Sequence, residues 1–127
     1  MSDPAGFVFV DDPASFRDAD ARIARVPVGV RSKRALLSVL AQELEFPAYF
    51  GFNWDALDDC LRDLHWLPET PRRIVLLHAA LPLRSPSHRR IYLNVLRHAI
   101  SAWGPGEAHE LLAVFPRSAD QCLSELK

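Results

Sequence analysis

The residues with the densest chemistry lie at 53–64, in the run Asn-Trp-Asp-Ala-Leu-Asp-Asp-Cys-Leu-Arg-Asp-Leu. Asp55, Asp58, Asp59 and Asp63 place four carboxylates in little more than two helical turns, with Arg62 among them. At about 100° per residue, Trp54, Leu57, Leu61 and Leu64 share one stripe and Cys60 borders it. The carboxylates and Arg62 point away from that stripe. Asp55 falls in the first turn, where the helix dipole favours an anion by about 0.3–1 kcal/mol. Asp58, Asp59 and Asp63 lie beyond its reach. The like-charged pairs Asp55–Asp59 and Asp59–Asp63, at i and i+4, each cost a few tenths of a kcal/mol, and Arg62 offsets some of this by pairing with Asp58 or Asp59. Two readings stay open on spacing alone. The face is solvated and merely solubilising, or it meets a cationic partner whose cleft is built for phosphates.

Such a face needs a scaffold, and the flanking sequence supplies one. Asn53 is a good N-cap and opens the acidic helix. The aromatic loop Pro47-Ala-Tyr-Phe-Gly-Phe precedes it. Tyr49 in that loop serves either as a packed lid or as a contact residue. Ser32 caps an earlier helix, with Leu36, Leu37, Val39, Leu40 and Leu44 at helical spacing through Glu45. Ser85-Pro86 starts a long helix, 86–103, with Tyr92, Val95, Leu96, Ala99, Ile100 and Trp103 on one stripe and Gly104-Pro105 as its stop. The apolar runs 7–10, 22–30, 73–78 and 111–116 read as strands, the second an edge strand because Pro27 lacks a donor. Residues 13–21 and the tail 118–127 read as short helices. Strands separated by helices favour parallel pairing. The expected fold is α/β, with a small three- to four-stranded, mostly parallel sheet and helices packed around it.

Other constellations carry less. The five histidines show no i,i+4 pair with a neighbouring acid, so no metal site is expected. His78 closes an apolar strand and reads as a hydrogen-bonded core or rim residue. Cys60, beside the apolar stripe, reads as a buried, inert thiol rather than a nucleophile. Cys60 and Cys122 are too isolated to suggest zinc or a redox pair, and no cofactor motif is present. His88, Arg89, Arg90, Asn94, Arg97 and His98 form a basic face on helix 86–103, and Arg84 precedes it. Without interleaved aromatics, nucleic-acid binding there is the weaker alternative.

Length and composition bound the rest. A chain of 127 residues, 49% hydrophobic and 24% charged, suits one globular domain able to fold without staples. Its apolar runs fall far short of the roughly 20 residues a membrane span requires. Acids near the start argue against a secretory leader, so a cytoplasmic protein is expected. The net charge of −1 conceals polarity: residues 1–66 sum to −4 and residues 67–127 to +3.

The stretch Leu44 to Leu64 resembles the signature of the barstar family, the intracellular inhibitors of bacterial ribonucleases. Pro47, Tyr49, Gly51, Asn53, Asp55, Ala56, Leu57, Asp59, Cys60 and Leu61 match in one register. The resemblance is strongest over 33–66, and the first 20 or so residues look like an addition to a single domain. It implies a barstar-like fold and a non-enzymatic, monomeric protein that blocks a cationic ribonuclease or nuclease toxin with its acidic helix and preceding loop. By the same resemblance, Asp59 is the central anion in the partner's phosphate site and Asp55 pairs with a neighbouring base. Tyr49 and Asn53 lie at the loop edge of the contact. Asp58 stands where the best-known members carry an exposed tryptophan, and Arg62 where they carry a small residue. Arg97 and His98 occupy a stretch where those members supply a further acid. These departures imply a different cationic partner.

Overall fold

A computed structural model describes residues 6–119. Four strands, β1 (Phe7–Val10), β2 (Ala21–Val26), β3 (Arg73–His78) and β4 (Glu110–Pro116), form one sheet in the order β1-β4-β3-β2, with every pairing parallel. Three helices, α1 (Lys33–Glu43), α2 (Trp54–Asp63) and α3 (Pro86–Ala102), join them. Short 3-10 turns lie at Pro13–Ser15 and Arg117–Ala119.

The predicted caps make the predicted bonds. Ser32 accepts from the amide of Ala35, Asn53 from that of Ala56 and Ser85 from that of His88, so each helix begins with one of its orphan donors satisfied. Two tryptophans serve the other ends. The Trp66 indole donates to the carbonyl of Leu44, the C-cap of α1, at 2.8 Å, and the Trp103 indole donates to the carbonyl of Leu61 in α2, also at 2.8 Å.

The register sets one row of side chains across all four strands: Phe7, Ala113, Leu76 and Ala24, all fully buried. Large and small residues alternate along it. They share a core with Leu36, Leu37 and Leu40 of α1, Leu57 and Leu61 of α2, and Tyr92 and Leu96 of α3. On the opposite sheet face Val75, Leu77 and Val114 pack with Phe16, from the connection between β1 and β2. The helical crossovers thus step from β2 towards β1 over one face, and the 11–20 connection steps back over the other. Direction and face reverse together, so the crossovers have the same hand, as parallel sheets require.

Several expectations are corrected. β2 ends at Val26, because Pro27 and the turn at Gly29 (φ 84°) break it, and Val28 beyond it is 69% exposed. The apolar alternation continues past the turn only because Val30 re-enters the core. Only Pro13–Ser15 of the 13–21 segment is helical, as a single 3-10 turn, since the chain must span the back of the sheet. α1 ends at Glu43, before Pro47. The tail expected to be helical falls largely outside the described residues, as does Cys122; its described part, through Ala119, is a 3-10 turn. Residues 7–10 form the expected strand, as edge strand β1, and place Phe7 and Phe9 in the core.

Candidate functional site

α2 lies along α3 and buries Leu57, Cys60 and Leu61, with Leu64 in a left-handed C-cap (φ 52°). Trp54 packs at 6.2 Å from the ring of Tyr92, and Trp103 holds the other end. The helix is therefore fixed along its length.

The preceding loop is fixed by aromatic stacking. Phe46 meets Phe50 at 4.8 Å and Trp66 at 5.8 Å, and Phe50 meets Phe52 at 4.8 Å. Phe52 adopts φ 51°, a left-handed conformation that costs a non-glycine residue about 1–2 kcal/mol. The packing of Phe50 and the Arg34 guanidinium, 4.8 Å from the Phe52 ring centre, hold it there. Tyr49 is 70% exposed and makes no hydrogen bond or ring contact among the described residues, so it is not a packed lid.

The carboxylates divide into two kinds. Asp55 is exposed and forms no ion pair among the described residues. Asp59 is open too, its side chain 76% exposed, and among the described residues its ion pair is with Arg62 at 3.1 Å. Asp58 is different, with a side chain only 21% exposed. Its Oδ1 accepts from Nδ1 of His98 on α3 at 2.9 Å, and its Oδ2 accepts from Nε of Arg62 at 3.1 Å. Burial pushes the Asp58 carboxyl up, but donation from His98 and Arg62 outweighs it and leaves the group below the ordinary carboxylate value. Asp58 borders Trp54 on the helical wheel, which turns it towards α3. Asp63, at the C-terminal end, meets Nδ1 of His65 at 2.9 Å.

The remaining candidates are mostly engaged. Asn53 caps α2 and donates weakly to the Gly51 carbonyl at 3.3 Å. On α3, Arg89 donates to the carbonyls of Pro82 and Leu83, Arg97 lies over the Phe7 ring at 4.8 Å, and His98 holds Asp58. Arg89, Arg97 and His98 of the basic face read from the sequence are thus engaged by other parts of the molecule, while Arg84, Arg90 and Asn94 remain exposed. Burial, then the carboxylates of Asp63 and Asp59, push the Cys60 thiol up to about 11, so it carries little thiolate at neutral pH. No group of three metal-ligating side chains occurs among the described residues, and no helix there is long and apolar enough to cross a membrane.

Sequence reasoning anticipated the Arg62 pairing but missed three contacts. They are His98 on Asp58, Arg34 on Phe52, and Lys33, whose ammonium sits 5.5 Å from the Trp54 ring centre. The latter two link elements about 20 residues apart, and His98 is 40 residues from Asp58, so no local spacing signalled them.

Fold and site together define a small parallel α/β protein that carries carboxylates outward on an anchored helix. A family model described as barstar, the barnase inhibitor, matches residues 26–117, most of the chain, and the protein belongs to that family. No curated protein matches the chain.

Proposed function

We propose that this protein binds and blocks a cationic ribonuclease or nuclease toxin, with the outer face of α2 and the loop at 47–53 entering the partner's phosphate-binding cleft. The observation that carries this reading is the pairing of rigidity with exposure. Asp55 and Asp59 are open to solvent on a helix whose opposite side is fully packed. A rigid anion presents its charge without losing side-chain and backbone freedom on docking, which is where affinity is usually lost. Asp59 is the central phosphate mimic and Asp55 engages a second base. Tyr49 and Asn53 border the contact, while Asp58 and Arg62 shape the charge between them. The family's description as inhibitors of barnase supports this role and a non-enzymatic one.

The test is capture of a partner from the native host by wild type and Asp59→Ala side by side, at low and high salt. We expect a basic nuclease recovered by wild type at low salt, reduced at high salt, and absent with the variant. The melting temperature of the variant should stay near that of wild type, because exposed substitutions are usually within about 0.5 kcal/mol of neutral. Equal recovery by both proteins would remove Asp59 from the contact.

A further inference from the structure

We propose that Arg62 is a built-in counterion that sets the specificity of the acidic face by competing for Asp59 with every incoming cation. This inference rests on the acidic face of α2 being the docking face. Three contacts carry it. Nη2 of Arg62 lies 3.1 Å from Oδ1 of Asp59 and 3.1 Å from Oδ2 of Asp58, and Nε donates to the same Asp58 oxygen at 3.1 Å. The guanidinium is thus held twice by Asp58 and once by Asp59.

Asp58 is in turn fixed by His98 from α3, so the anchor of Arg62 belongs to the packed scaffold rather than to a mobile side chain. The consequence is asymmetric. A cation arriving at Asp59 displaces one contact of Arg62, but the guanidinium stays close by, held by Asp58. The newcomer therefore meets a like charge at short range. Weak or poorly aligned cations are rejected, and only a partner whose base takes the open side of Asp59 while also engaging Asp55 overcomes the opposition. Specificity of this kind comes from a repulsive element placed beside an attractive one. Arg62 is 37% exposed by side chain, so it is open to the partner while remaining paired.

Hexa-arginine, which carries no acidic side chain to reward Arg62, is a suitable probe. Its affinity is measured by titration calorimetry at low salt for wild type, Arg62→Gln, Asp59→Asn and the double variant, with Arg90→Gln as an exposed control from α3. We expect Arg62→Gln to bind about tenfold tighter than wild type. In the Asp59→Asn background the same change should give less than a twofold gain, and Arg90→Gln alone should also give less than twofold. No gain in Arg62→Gln, or an equal gain with and without Asp59, would overturn the proposal. Because the probe is a peptide, this outcome is read independently of whether a nuclease is captured. A protein that fails in the host capture yet shows the Asp59-dependent gain would lose the inhibitor reading and keep the counterion.

Discussion

At the scale of single residues, the most constrained polar group lies away from the acidic face. His78 is fully buried at the end of β3 and stacks on Phe115 at 4.1 Å. A carbonyl only accepts, so Nδ1 donates to Val114 at 2.9 Å, and the neutral ring accepts at Nε2 from the Tyr92 hydroxyl at 2.6 Å. Burial lowers its pKa to about 4, from about 6.5. Between those values the unfolded chain binds a proton that the folded chain refuses. Stability therefore rises with pH through this window, is complete above about pH 6.5, and falls on acidification by up to about 1.4 kcal/mol per pH unit. Urea titrations from pH 7 to pH 4 should show this slope in wild type and a shallower one in His78→Gln, although the variant starts less stable. The same slope in both proteins would place the acid sensitivity elsewhere.

At the scale of elements, α2 has two faces with opposite demands. Leu61→Ala, at a fully buried position, should cost about 2–5 kcal/mol. Asn53→Ala removes the cap bond to Ala56 (2.7 Å) and should cost about 0.5–2 kcal/mol, while loosening the turn that aims Asp55. Chemical denaturation should place these two well apart from Asp59→Ala, which should be near neutral. A small effect of Leu61→Ala would mean that α2 is not clamped. The element's amphipathic pattern was readable in advance because Trp54, Leu57, Leu61 and Leu64 recur at helical spacing. The split among its carboxylates was not, because Asp58 is distinguished from Asp59 only by what α3 brings alongside it.

At the scale of the whole molecule, the sheet row Phe7, Ala113, Leu76 and Ala24 shows how tightly the scaffold is specified. Ala113 sits between Phe7 and Leu76 at full burial, leaving no room for growth. Ala113→Leu should therefore lower stability by about 1–3 kcal/mol through overpacking, measured as a fall in the denaturation midpoint with an unchanged slope. An unaffected midpoint would show slack between helices and sheet. The charge polarity of the chain also changes meaning at this scale. The basic residues of α3 divide: Arg89 and Arg97 face inward contacts and His98 bridges to α2, while Arg90 stays exposed.

Local and periodic features were legible in the order of residues alone. These were the three helix caps, the order of the four strands and of the helices α1 to α3, the apolar stripe of α2, and the motif around Asn53 to Leu61 that marks the family. Each rests on interactions within a few residues along the chain, where type and spacing suffice. Long-range packing settled the rest: β1 joins the sheet beside β4, residues 11–20 cross the back of the sheet, and α3 supplies the histidine that holds Asp58. Those outcomes depend on distant segments meeting, and the free energy of such contacts is set by packing geometry that no local pattern encodes.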